Sequence, residues 1–207
     1  MRYFPYGETE MNYLKKADPR LGKVITRIGK IDRPIEPDPF RALVSSIVGQ
    51  QVSGKAAATV WGRLQERCGS ITPESLGTMS LDDIQSCGMS RRKAEYIKGV
   101  ADAALDGTVD FTLLNELPDE EVSAKLTTLR GVGLWTAEMV LIFSLARPNV
   151  LSWADLGIRR GIQLLYQLEE LSKKEFEAYR ERYSPYGSIA SLYLWEIAGN
   201  PDYVREL

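Results

Sequence analysis

The chain has 207 residues, which allows one large domain or two small ones, each long enough to bury a core without a disulfide or metal staple. Its 26 basic and 28 acidic side chains leave a formal charge of −2, so bulk charge does not indicate nucleic-acid binding and any such role needs a local surface. With 0 histidines, Ser–His and Cys–His nucleophiles and histidine-bound metals are excluded, which leaves carboxylates, Lys, Tyr or Cys to carry any chemistry.

The first clear helix start is Asp38-Pro39, an N-cap followed by proline at the first helical position. Phe40, Leu43, Val44, Ile47 and Val48 then follow at helical spacing and form one apolar face. A second helix begins near Ala56, with Val60, Trp61 and Leu64 inward and a stop at Gly69. Thr72-Pro73 and Ser80-Leu81-Asp82 each open a short helix, and Ser90 opens a longer one with Ala94, Ile97, Ala101, Ala104 and Leu105 on one side. Pro118-Asp119-Glu120-Glu121 starts a helix whose acidic first turn suits its dipole, with Val122, Leu126 and Leu129 inward. Residues 135–145 and 156–168 read as further helices, Ser172-Lys173-Lys174-Glu175 as a capping box before another, and residues 188–198 as the last. No strand pattern exceeds a few residues, so the fold class is all-α, with about ten helices and short connections. No apolar run approaches the ~20 residues of a membrane span, and the start at Met1-Arg2-Tyr3 does not resemble a secretory leader. Cys68 and Cys87, too few for a four-thiolate metal site, read as reduced core thiols.

Charge is unevenly spread. Residues 14–33 carry seven basic and two acidic side chains, residues 86–98 four and one, and residues 106–121 six acids with no base. Runs of this kind usually form a solvated face, but the 86–98 cluster surrounds a glycine turn between two helices.

Two segments carry chemistry. In Leu129-Arg130-Gly131-Val132-Gly133-Leu134-Trp135-Thr136-Ala137, one helix ends, two glycines one residue apart make a tight turn, and a new helix starts at once. Such a turn lets backbone approach a ligand closely and offers helix N-terminal N–H groups to an anion. It reads equally as a plain helical hairpin or as a cradle for a nucleic-acid phosphate, and glycine amides hold phosphate without adding charge. Downstream, Val150-Leu151-Ser152-Trp153-Ala154-Asp155-Leu156-Gly157-Ile158-Arg159-Arg160-Gly161 places Asp155 at a helix start. By itself that residue reads as an N-cap.

Taken together, L-x-G-V-G-x-W-T-A followed by an aliphatic helix and D-L-G-I-R-R-G resembles the helix–hairpin–helix DNA glycosylase superfamily. Three more segments are similar to its 3-methyladenine DNA glycosylase II branch: Pro39 through Gly49-Gln50-Gln51-Val52-Ser53 to Ala57, Gly88-Met89-Ser90-Arg91-Arg92-Lys93-Ala94, and Tyr183-Ser184-Pro185-Tyr186-Gly187-Ser188 with Tyr193-Leu194-Trp195. The likeness covers about residues 36–199. Arg130 stands where the branch has proline, and Tyr183 and Gly187 replace its usual Trp and Arg. Trp135 stands where lyase-competent members carry lysine, the endonuclease III cysteines are missing, and about 35 leading residues cannot build the N-terminal β domain of larger members, so the compact form is implied.

The resemblance implies two helical subdomains flanking a cleft. The segment 1–35 would pack on the C-terminal part, 36–147 would form a central subdomain with the hairpin at 129–137, and 148–207 would carry the catalytic Asp155. It further implies a monofunctional glycosylase of base excision repair that flips out and hydrolyses alkylated bases of the 3-methyladenine and 7-methylguanine type. Trp135, Trp153, Trp195 and Tyr193 would form the base pocket. Arg130, Gly131, Gly133, Thr136, Ser90, Arg91 and Lys93 would contact DNA, and Gln50 or Gln51 would fill the gap left by the flipped nucleotide. No cofactor is required and no iron–sulfur cluster is expected. The carbonyls of Thr127, Leu129 and Val132 would hold a structural Na+ or K+. The expected partner is duplex DNA containing alkylated bases, with no membrane; a monomer is expected, cytoplasmic in a bacterium or archaeon and nuclear in a eukaryote. Two alternatives remain: a non-catalytic hairpin DNA-binding module, which needs neither Asp155 nor a tryptophan pocket, and a glycosylase/lyase for oxidised bases, against which Trp135 argues.

Overall fold

The computed structural model describes residues 2–205. It divides into two compact units, Met1–Ile35 with Ala146–Leu207 and Glu36–Leu145. The described residues form twelve α-helices, two short 3-10 turns and one two-stranded ribbon.

The first unit opens with β1 (Arg2–Tyr3), then α1 (Glu8–Ala17), α2 (Pro19–Ile28) and β2 (Pro34–Ile35), which pairs antiparallel with β1 through Arg2–Ile35 and Tyr3–Pro34. Both helices lie in a stretch for which no helix is expected above. Asp18 ends one and caps the next, its side chain accepting from the Arg20 and Leu21 N–H groups, with Pro19 at the first position of α2. Met11 and Leu14 on α1, and Leu21, Val24 and Ile25 on α2, face inward beneath the exposed basic side chains. These two helices account for the difference between the ten expected and the twelve found.

The second unit holds α3 (Pro39–Gly49), α4 (Gly54–Cys68), α5 (Pro73–Thr78), α6 (Leu81–Ser86), α7 (Arg91–Leu105), α8 (Asp119–Thr127) and α9 (Leu134–Phe143). The Asp38, Thr72, Ser80 and Ser90 start signals act as the sequence predicts, each side chain accepting a hydrogen bond from the first turn of the following helix, and Ser53 does the same for α4, which begins two residues before the expected Ala56. The α3 face is wholly buried. Two expectations change. On α4 only Leu64 is buried, so Val60 and Trp61 are half-exposed, and on α7 the inner face is Ala94, Ile97, Val100, Ala101 and Ala103, with Leu105 51% exposed. Helix α9 is the centre of this unit, burying Thr136, Ala137 and every residue from Met139 to Ile142, and it packs against α3 and α8. A helix apolar all round belongs in a core.

The chain then returns to the first unit through α10 (Leu156–Tyr166), α11 (Lys173–Tyr183) and α12 (Gly187–Gly199). Helix α12 buries an unbroken run from Gly187 to Leu194 and packs against α10. Cys68 is half-buried and Cys87 buried, both as free thiols whose pKa values are raised by desolvation. Among the described residues no helix is long and apolar enough to cross a membrane.

Candidate nucleic-acid interface and active site

In the second unit the hairpin follows directly from the end of α8. The Leu129 N–H returns to the Leu126 carbonyl, and the Val132 N–H closes onto the Leu129 carbonyl at 3.1 Å. Gly131 takes φ +85°, and a Cβ there would lie 2.1 Å from the Tyr96 ring, so no other residue fits. Gly133 differs. It is the N-cap of α9 at φ −91° and ψ 172°, a conformation open to any residue, and a Cβ would meet nothing within 4 Å. The fold therefore demands glycine at 131 and tolerates a side chain at 133. Gly133 also brings no side chain of its own to cap α9. Leu134 and Trp135 are exposed at 55% and 38% beside it.

Around this turn the expected DNA residues separate into two groups. Arg130 is outward, its guanidinium 5.9 Å from the Tyr96 ring centroid and 4.0 Å from the Glu95 carboxylate. Arg91 is exposed and paired with Asp82 at 2.9 Å, with Glu95 3.9 Å away. Ser90 caps α7, accepting from the Lys93 N–H. Three residues are corrected inward. The Thr136 side chain is buried, its hydroxyl 3.4 Å from the Gln50 amide, so only its backbone can serve a phosphate. Lys93 turns into the protein: its ammonium donates to the Val48 and Gln50 carbonyls at 2.9 and 2.6 Å, and burial lowers its pKa. Gln50 does not reach out either, because its amide donates to the Gly131 carbonyl at 3.1 Å. Gln51 is the exposed glutamine of the pair, at φ +56° on the loop tip.

In the first unit Asp155 caps α10 and is 7% exposed. Its Oδ1 accepts from the Ile158 N–H at 2.9 Å and from the Trp195 indole N–H at 3.0 Å. Gly157 makes this pairing possible, since a Cβ there would stand 2.8 Å from Trp195 Cδ1. The segment that delivers Asp155 is fastened to α11 and α12. The Val150 N–H donates to the Ser188 hydroxyl, which donates to the Arg147 carbonyl, and Arg180 donates twice to the Leu151 carbonyl. Ser188 and Arg180 thus hold the site, and only the position of Ser188 in the closing motif hinted at this.

The aromatic expectations are partly corrected. Tyr193 has no exposed surface; its hydroxyl donates to the Gly29 carbonyl at 2.9 Å, and burial raises its pKa, so it is a core strut with no face for a base. Trp153 is half-buried, edge-on to Phe176 at 5.2 Å with the Arg159 guanidinium 4.8 Å from its ring centroid. That guanidinium occupies a ring face where a cationic base would otherwise stack. Trp195 stays half-buried on the carboxylate, and Trp135 belongs to the second unit.

Known proteins share this sequence pattern and this fold. The family model of the HhH-GPD superfamily base excision DNA repair proteins matches residues 44–185. The DNA-3-methyladenine glycosylase 1 of Schizosaccharomyces pombe is 32% identical over 173 residues, 81% of this chain and 76% of that protein. Among solved structures, a DNA-3-methyladenine glycosidase from Bacillus halodurans superposes with a TM-score of 0.84 at 40% identity, covering 97% of this chain and 94% of the other. A Schizosaccharomyces pombe 3-methyladenine DNA glycosylase in complex with abasic DNA gives 0.83 at 29% identity, covering 96% and 100%. With the hairpin, the helix-capping aspartate and these likenesses in place, the chain belongs to the HhH-GPD superfamily of base excision DNA repair proteins.

Proposed function

We propose that the protein is a monofunctional DNA glycosylase that flips alkylated bases of the 3-methyladenine and 7-methylguanine type out of duplex DNA and releases them by hydrolysis. The observation that carries this reading is Asp155, a carboxylate held on a helix N-terminus with a tryptophan indole on its Oδ1. A base inside a duplex cannot reach such a group, so the nucleotide has to be extruded at a cost of a few kcal/mol. When the N-glycosidic bond breaks, its electron pair leaves with the base and neutralises the base's positive charge. The sugar is then oxocarbenium-like, and the carboxylate stabilises that charge and takes the proton of the water that adds to C1′. No general acid is needed, because the leaving group is already cationic, and this suits a chain with 0 histidines.

The Thr127, Leu129 and Val132 carbonyls would hold Na+ or K+ and stiffen the hairpin; the Leu129 oxygen already accepts one hydrogen bond and keeps a second lone pair for this. No step of the reaction runs through the ion. The protein would act as a monomer wherever the genome lies, in the cytoplasm of a bacterium or archaeon or in a nucleus.

The test is base release from duplexes carrying single 3-methyladenine or 7-methylguanine lesions. The expected product is an intact abasic strand that breaks only after alkali, because Trp135 offers no amine for a Schiff base. Spontaneous strand cleavage together with borohydride trapping to DNA would identify a lyase instead.

A further inference from the structure

Lys93 lies in the first turn of α7, where a cation opposes the helix dipole. Its ammonium instead spans to the C-terminal end of α3, the favourable pole of that helix, and meets the Val48 and Gln50 carbonyls. From the other side the Gln50 amide is fastened to the Gly131 carbonyl and approaches the Thr136 hydroxyl, at 3.1 and 3.4 Å. The next residue is Gln51, exposed and held in a left-handed backbone conformation that strains a non-glycine residue. Such strain persists only where the surroundings over-determine it, and the two clamps on Gln50 supply that constraint. The loop tip and the hairpin are thereby joined through one side chain.

We propose that Lys93 and Gln50 are positioning residues that lock the Gln51 loop to the phosphate-holding hairpin, so that gripping the backbone drives Gln51 into the gap left by the flipped nucleotide. This rests on the glycosylase reading above. Desolvation of the ammonium, seen in its lowered pKa, fits a group engaged inside the protein. Gln51 also rims a shallow pocket with Val52, Val60, Met89, Arg92 and Tyr96, which leaves its side chain room to swing from the surface.

The experiment compares Lys93→Met, which keeps the aliphatic stem and removes the ammonium, with the unmodified protein on two substrates. One is a duplex with a paired 7-methylguanine and a neighbouring 2-aminopurine as flipping reporter; the other carries the same lesion in a one-nucleotide bulge, already loosened from the stack. On the paired duplex, Lys93→Met is expected to lower the fluorescence rise and slow single-turnover release tenfold or more. On the bulge its rate should return to within about threefold of the unmodified protein. The salt slope of duplex affinity should not change, whereas loss of a phosphate contact would lower it by about 0.9. A lowered slope, or equal slowing on both substrates, overturns the positioning role, as does normal release from the paired duplex. If Lys93→Met melts early, Gln51→Gly, exposed and at ease with positive φ, should show the same pattern on a stable fold; wild-type release from the paired duplex by that variant also overturns the proposal. Failure of the unmodified protein to release 7-methylguanine from either substrate would count against the glycosylase reading instead, which separates the two failures.

Discussion

Asp155→Asn is expected to slow single-turnover base release by about 10³-fold while leaving the melting temperature and lesion-duplex affinity close to those of the unmodified protein. Asparagine is as good an N-cap as aspartate. Its carbonyl oxygen can still accept from the Ile158 N–H and the Trp195 indole, so the local structure has no reason to rearrange. What disappears is the negative charge. Two unit charges about 4 Å apart interact by about 4 kcal/mol at an effective dielectric near 20, and each 1.36 kcal/mol off the barrier is worth tenfold in rate. The sugar gains its positive charge only on the way to the transition state, so the loss falls on the rate and spares ground-state affinity. Trp195→Phe should act in the same direction but less, by roughly ten- to a hundredfold, since it keeps an aromatic face and removes one hydrogen bond to a charged group worth about 1.5–3 kcal/mol. Rapid release by Asp155→Asn would remove the carboxylate from the chemistry and leave Asp155 as a helix cap.

Much of the fold was legible because its helix starts are written in side chains that act locally. Asp38-Pro39, Thr72-Pro73, Ser90 and Ser172 each satisfy the first N–H groups of their own helix, whatever packs on top. The Asp18-Pro19 pair carries the same signal and was hidden by its surroundings. On α2 the inner Leu21, Val24 and Ile25 do follow helical spacing, but Arg20, Lys23 and Arg27 stand among them and the run reads first as charge, while α1 buries only Met11 and Leu14.

The site was legible in its main-chain features and poorly in its side-chain directions. A glycine turn and an aspartate before a helix are local facts. Helix α12 is apolar on every side, so its period cannot say which aromatic is a core strut; Tyr193 ends on the Gly29 carbonyl and Trp195 on Asp155, two residues apart. Lys93 shows the same limit for charge. Whether its ammonium meets solvent or the end of α3 depends on a partner 43 and 45 residues away. The adjacent glutamines could not be told apart for the same reason, since Gln50 is tied to Gly131 and Gln51 is exposed.

The two hairpin glycines should respond to substitution in opposite ways. Gly131→Ala puts a Cβ 2.1 Å from the Tyr96 ring and forces an L-residue into φ +85°, so it is expected to destabilise the protein by about 3 kcal/mol, through overpacking and backbone strain together. At roughly 2–4 °C per kcal/mol for a chain of this size, the melting temperature should fall by about 6–12 °C. Gly133→Val has φ −91° and open space, and replacing glycine at an N-cap costs no more than about 1 kcal/mol, so the fold should survive. On the proposed function, a DNA phosphate takes that space. The valine should therefore weaken binding to damaged and undamaged duplexes alike, by about tenfold or more, since a phosphate contact fixes the protein on DNA and carries no sequence or lesion information. The hairpin unit, residues 36–145, carries 10 basic and 15 acidic side chains, so its hold on a polyanion has to rely on backbone amides and a few cations such as Arg130. The salt slope of duplex binding should accordingly be shallow, equivalent to about two to four phosphates at roughly 0.9 each. The measurement is the affinity of both variants for a lesion duplex and an undamaged duplex across a salt series, read beside their melting curves. Unchanged affinity for the undamaged duplex in a folded Gly133→Val protein would mean that nothing outside the chain uses that space, and the hairpin would then be a turn between two helices and no more.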